Sequence, residues 1–447
     1  MKKLNYLTAA FLATGLWVET SSAREFIPLF GLEVEQHSNA RRTSTNEIED
    51  TAIKPYVGLE FTDNTATTNA SIKARAAHER WTDETYDGQT FYTIDGFVDW
   101  IISPGRFVWA VEDYAYSQRI DPLELPTSNN LQNFNVFQTG PDFMFTRGPL
   151  EGVAKIRLGN VFYSETDTDN NRVNVSGSLR RFLNDYSDLS LEAALSKIMY
   201  RENFLNDYDV SSVVGKYRRD LPYGRLLLGA GLGQISYENG GSEDSPIALA
   251  SIALGNKEDP NQLRLALSQN ISDPALDAND PLFSRLYLFE GERLINPSEV
   301  TGVGAYELTK GELVYTFAGT RFNSSISGYV NRKEYPDVPD INTDEKGGSV
   351  SVGYSLGERL GIWASFGKSS TDYLNGTNAG IFVNSTSPQG GITYLFNDRL
   401  TLSVGTSRIK NDSNELRLDY DDDVVFFRVD YRGLKKETDQ LVQEGRN

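Results

Sequence analysis

Two histidines, His37 and His78, are the only side chains in this sequence whose ordinary titration falls near neutrality, and cysteine is absent. A Ser-His-Asp hydrolase or an Asp-His protease would have to recruit one of them, and neither stands in a recognisable motif. No catalytic residue is therefore assigned, and an enzyme is not expected. Metal binding has equally little support, because histidine and cysteine do not cluster. Asp421, Asp422 and Asp423 form a run able to attract a divalent cation, yet three consecutive carboxylates more commonly form a solvated loop. The sequence implies no metal and no cofactor.

What remains is a set of charges spaced by two. Lys155, Arg157, Arg172, Arg180, Arg218 and Arg264, with Glu60, Asp95, Asp99 and Glu192, stand in runs where polar and apolar residues alternate. Successive side chains of an extended strand point to opposite faces, so these residues share one face and their apolar neighbours the other. If the polar face lines a pore, its charges set which solutes pass, and a cluster of arginines favours anions. If the charges instead pair with one another across the interior, they block it. The sequence leaves both outcomes open.

The elements that must position these side chains are strands facing two different solvents. Near the C-terminus Val425, Phe427, Val429 and Tyr431 alternate with Arg428 and Asp430. The same period recurs where Ala154, Ile156 and Leu158 alternate with Lys155, Arg157 and Gly159, and where Leu189, Leu191 and Leu195 face away from Ser190, Glu192 and Ser196. Leu263, Leu265 and Leu267 alternate with Arg264, Ala266 and Ser268, and Leu400, Leu402 and Val404 with Thr401, Ser403 and Gly405. Repeated from about residue 25 to residue 433, this predicts an all-β fold, a closed antiparallel transmembrane β-barrel of the outer membrane, apolar toward lipid and polar toward an aqueous lumen. The mean hydropathy of -0.42 does not count against it, because half of each such strand is polar.

Length alone suggests more than one domain, but no Pro/Ser-rich linker or composition shift interrupts the pattern. Short turn signals at 103–106, 148–152, 222–224, 357–359 and 397–399 alternate with long polar connections at 121–130, 273–297 and 336–345. That alternation matches a barrel with short periplasmic turns and long external loops, and counting hairpins from it places both ends of the barrel in the periplasm. The count is about 20 strands, within roughly 16 to 22 for single-chain barrels of this length. The regions 70–81 and 273–310 give the weakest strand signals. Trp81, Trp100, Trp109, Tyr335 and Tyr431 lie near strand ends and are expected in the interfacial aromatic girdles. The segment 273–297 has the length to fold inward and constrict the lumen.

The address is read from residues 1–23, where Lys2 and Lys3 precede an apolar run over 7–18 and small residues at Ser21 and Ala23. This predicts a signal peptide at 1–23, a barrel at 24–434 and a polar periplasmic tail at 435–447. The run is too short to span a bilayer, and the absence of cysteine excludes a lipoprotein anchor. The net charge of -19 argues against a nucleic-acid partner, whose phosphates demand basic surface. The expected location is the cell outer membrane, with its lipid as the first partner.

One stretch is more specific. Residues 99–172 contain a strand ending at Pro104, Gly105 and Arg106, then the strand Trp109, Ala110, Val111, Glu112, Asp113, a loop at Asp121 and Pro122 with Asn129 and Asn130, and Thr139, Gly140, Pro141, Asp142. This segment resembles the outer-membrane β-barrel proteins of exopolysaccharide and exosortase (PEP-CTERM) systems, a group related to the β-barrel porins of type 2. The resemblance implies export or assembly of an extracellular polysaccharide, with a periplasmic polysaccharide-export protein and the polysaccharide as partners. The alternative reading is a general or substrate-selective diffusion porin.

Overall fold

Apolar residues at every second position do not gather on one side of a helix, and in lipid a chain must satisfy every backbone N–H and C=O internally. The computed structural model meets both demands with a closed ring of twenty antiparallel strands. It describes residues 24–121, 123–125, 127–202, 206–255, 259–273 and 304–433; the expected signal peptide and tail, and most of the segment 273–297, lie outside the described residues.

The chain runs as β1 (Arg24–His37), β2 (Asp50–Asn64), β3 (Thr68–Trp81), β4 (Gln89–Ser103), β5 (Phe107–Arg119), β6 (Leu131–Arg147), β7 (Leu150–Tyr163), β8 (Asn170–Asn184), β9 (Ser187–Tyr200) and β10 (Tyr208–Leu221). It continues as β11 (Gly224–Tyr237), β12 (Ser242–Leu254), β13 (Asn261–Ser272), β14 (Tyr306–Ala318), β15 (Phe322–Glu334), β16 (Thr343–Ser355), β17 (Leu360–Tyr373), β18 (Phe382–Leu395), β19 (Leu400–Ser413) and β20 (Tyr420–Arg432). Each strand pairs with the next, and β20 pairs back onto β1 from Leu29↔Arg432 to His37↔Val424. Of the two regions with weak sequence signals, 70–81 lies in β3, while 274–303 of the second lie outside the described residues and 306–310 open β14.

Short connections collect at one rim and long ones at the other. Gly105 (φ +67°) and Gly148 (φ +59°) turn two of the short hairpins in the left-handed region that a side chain disfavours. The described ends of the barrel, at β1 and β20, lie together at this short-turn rim. At the opposite rim the wall parts between β12 and β13. Their pairing covers Ala248↔Gln269 to Leu254↔Leu263, whereas β12 stays on β11 up to Ser242 and β13 stays on β14 up to Ser272. Among the described residues this free stretch of β12 carries Pro246, Glu243 and Asp244, which resist the addition of another strand.

Among the described residues no helix is long and apolar enough to cross a membrane. The strands, at 12 to 17 residues, exceed the roughly 9–11 that a tilted strand needs. Leu191, Leu265 and Val404 stand on the outer face with 53%, 39% and 48% of their surface exposed. Trp100, Trp109 and Tyr431 also lie outside, and Trp109 Nε1 donates to Thr139 Oγ1 at 2.9 Å. The girdle expectation fails for the other two aromatics. Trp81 is buried on the inner side, where its Nε1 donates to Glu79 and Ser128. Tyr335 is buried against Tyr306, with ring centroids 4.8 Å apart. A ring with a polar atom is held inside the mouth when a buried acceptor or a second ring waits there, and spacing along a strand does not reveal either.

The facing assignment is open to a folding assay. Arginine at Leu191, Leu265 or Val404 is expected to cost about 2–4 kcal/mol where the position lies near the bilayer midplane. Arginine at the adjacent inward Ser190 or Ala266 should cost far less, and equal losses at both sets would reject the assignment.

Candidate functional site in the barrel lumen

The strand registers place Lys155, Arg157, Arg172, Arg180, Arg218 and Arg264, and Glu60, Asp95, Asp99 and Glu192, on the inner face. The basic residues among them are bonded to carboxylates. Arg157 binds Asp142 and reaches Glu112 at 3.3 Å, and Lys155 lies 3.5 Å from the same Asp142. Arg180 and Arg218 converge on Asp188 at 2.8 and 2.6 Å. Arg264 stands 3.4 Å from Glu312. On the acidic side Glu192 accepts from Lys216 at 2.7 Å, Glu60 from Arg432 at 2.6 Å and Asp99 from Asn69 at 3.4 Å, while Asp95 is in register with Lys73 and Tyr114. Most of these pairs join neighbouring strands, so they line the wall in place of spanning the space.

Arg172 is different. Its Nη1 donates to both carboxylate oxygens of Asp273 at 2.8 Å, although four strands separate β8 from β13 around the ring. The pair is a chord over a quarter of the ring, made where β13 bends inward past the parted wall. Its surroundings are dry, with the two side chains 4% and 0% exposed. Tyr208 Oη donates to Asp273 at 3.3 Å and Arg172 Nε donates to Asn170 at 2.8 Å. Below them Ile271 and Ala305 pack against Ile198, Tyr208, Val210 and Ile235 of β9 to β11. Gly233 leaves room for this, since a Cβ there would lie 2.9 Å from Ile271 Cδ1. Both described ends of the β13–β14 connection therefore sit within the mouth.

The lumen is consequently lopsided. Tyr114, Tyr116, Phe134, Val136, Val161 and Tyr163 form a buried cluster on the inner faces of β5 to β7. Every inner residue of β5 from Val108 and of β6 through Asp142 is buried. On β17, β18 and β19, by contrast, no inner residue is buried until the far end at Tyr373 and Asn411.

The histidines take no catalytic arrangement. His37 Nδ1 faces Asp422 Oδ2 at 2.8 Å and Nε2 faces Glu35 Oε2 at 3.3 Å. Both ring nitrogens are thus within hydrogen-bonding reach of carboxylate oxygens. The ring fastens β1 to β20 at the closing seam, where Asp422 also accepts from the Asn39 backbone N–H and Arg428 Nε donates to Glu33 at 2.6 Å. His78 lies on the outer side of β3 beside Thr90 at 3.0 Å. The acidic run does not converge on a cation: Asp422 points inward, while Asp421 and Asp423 point outward to Arg408. Among the described residues no group of three or more potential ligands forms a metal site.

Asp273 and Tyr208, which organise these networks, carry no signal in the sequence, and Glu112 and Asp142 stand out there only in the resemblance and not as partners of Arg157. Asp273 follows the alternating run of β13 and reads there as the first polar residue of a loop; nothing in the linear pattern marks its partner 101 positions earlier.

No protein-family model matches the sequence, and no curated protein matches it. Solved structures of similar fold include the ferric enterobactin receptor of Pseudomonas aeruginosa, 10% identical, covering 93% of this chain and 82% of that one at a TM-score of 0.48. They include the FrpB iron transporter of Neisseria meningitidis, 9% identical over 90% and 82% at 0.46, and the copper transporter OprC, 10% identical over 93% and 81% at 0.43. The likeness is one of fold, that of an outer-membrane β-barrel. Polysaccharide export, and the diffusion porin offered as its alternative, are corrected here. The similar barrels are named as receptors or transporters of siderophore-bound iron, iron and copper. The arginines expected to favour anions are engaged by carboxylates.

Breaking the chord from one side leaves a buried charge unpaired. Arg172→Ala or Asp273→Ala should each cost about 3–5 kcal/mol in urea unfolding of the detergent-folded barrel. The double variant should lose clearly less than the sum, and strict additivity would show that the two residues act independently.

Proposed function

We propose that the protein is a non-enzymatic outer-membrane barrel that is narrowed from within at rest and admits a small ligand from the external side. The observation that carries this reading is the Arg172–Asp273 pair, which ties the inward-bent end of β13 to β8, a quarter of the ring away. The buried cluster on β5 to β7 fills the same side of the interior. The narrowing lies at the long-connection rim, so a ligand from the medium meets it first. In this reading the short-turn rim, where β1 begins and β20 ends, faces the periplasm. Non-enzymatic action is supported by His37, whose two nitrogens are both committed to carboxylates.

Planar-bilayer recording tests the proposal. The full-length wild-type barrel should show little ion conductance. The Arg172→Ala/Asp273→Ala double variant, still heat-modifiable on gels, should conduct several-fold more. A wild-type barrel that already conducts as freely as the double variant would end this reading.

A further inference from the structure

The wall across from the narrowing has its own chemistry. In a ring of twenty strands, β18 to β20 lie ten strands round from β8 to β10 and so face them. The inner residues of β17 are Gly361, Trp363, Ser365, Gly367, Ser369 and Thr371 before Tyr373. Those of β18 include Ser385, Ser387, Gln389, Gly391 and Thr393, and those of β19 include Thr401, Ser403, Gly405 and Ser407. Three consecutive strands thus present no inward charge, in contrast to the ion-paired wall elsewhere.

Two aromatic rings lie on this sector. Trp363 and Phe426, from β17 and β20, are stacked with centroids 6.2 Å apart and planes 26° from parallel. They rest over glycines of the two intervening strands. A Cβ on Gly405 would lie 2.5 Å from the Phe426 ring, and one on Gly391 would lie 3.1 Å from Trp363 Cζ2. The glycines let the rings lie against the wall. Both rings remain only partly buried.

We infer that this sector is a binding surface for a neutral polyhydroxylated ring compound, of mono- to trisaccharide size. An aromatic face takes the apolar C–H face of such a ring by dispersion and quadrupole attraction. Serine and threonine hydroxyls both donate and accept, as the ligand's hydroxyls do, so each can satisfy the other without a net charge. A charged ligand would meet no countercharge on β17 to β19 and would lose hydration without return. The inference deepens the proposed function and rests on it for one point: the narrowing on β8 to β13 leaves this opposite wall as the side along which a ligand can move.

Calorimetric titration of the full-length barrel in detergent with maltotriose tests the site, with spermidine and inorganic phosphate as charged comparisons. Maltotriose should bind and the charged probes should not. Trp363→Ala should weaken binding about tenfold, the loss of one stacked ring, while Trp363→Phe retains most of it. Should Trp363→Ala fail to fold, Trp363→Leu, which keeps apolar bulk without an aromatic face, replaces it with the same expected loss. Wild-type binding stronger for either charged probe, no binding of maltotriose, or unaltered affinity in the ring-less variant would each overturn the inference. The Arg172→Ala/Asp273→Ala variant separates the two readings. Intact maltotriose binding with unchanged conductance rejects the narrowing alone, and raised conductance without maltotriose binding rejects the sugar surface alone.

Discussion

Everything in this protein depends on closing the hydrogen-bond ladder. A backbone amide or carbonyl exposed to hydrocarbon without a partner costs several kcal/mol, so a sheet that crosses a membrane has to return to its own first strand. Here β20 meets β1 over nine paired positions. The side chains above that ladder reinforce it. His37 and Asp422, Glu33 and Arg428, and Tyr56 and Asp430 each join strands on the two sides of the seam. Residues nearly 400 positions apart in sequence are thereby neighbours, with 395 separating Glu33 from Arg428.

Closure also explains why the interior can afford so many charges. A wall of polar residues facing inward has to be compensated once aromatic side chains begin to exclude water from one side. Near Tyr114, Phe134 and Tyr163 the charges are paired: Arg157 is held by Asp142 and Glu112, and Glu112 also accepts from Gln138 at 2.6 Å. Where the inner residues stay partly exposed, on β17 to β19, charge is absent and hydroxyls line the wall. Two sectors of one barrel thus differ in how they carry polar side chains, one by ion pairing and one by neutrality.

The parting of β12 from β13 links these features. Once β13 leaves its neighbour, Ile271 can turn inward onto Ile235 and Asp273 can reach Arg172. A local loss of sheet pairing is offset by a buried apolar cluster and a bidentate ion pair. The lumen is narrowed by the wall itself, and the inner faces of β17 to β19 stay mostly unburied.

The sequence by itself determined the all-β barrel, the strand number and the assignment of faces, because a period of two is a local property that a strand expresses wherever it pairs. Leu191, Leu265 and Val404 point outward, and β3 occupies the weak signal at 70–81. It also identified which charges face inward, since parity along a strand suffices for that. It did not contain the partners of those charges. Whether Arg172 stands free in a channel or closes on Asp273 depends on two strands that never pair, and whether Trp81 sits in a girdle or beneath Glu79 depends on what the next loop delivers. Those contacts are set by the curvature of the closed ring and the bend of one strand, which bring distant residues within bonding range, and only the tertiary structure decided them.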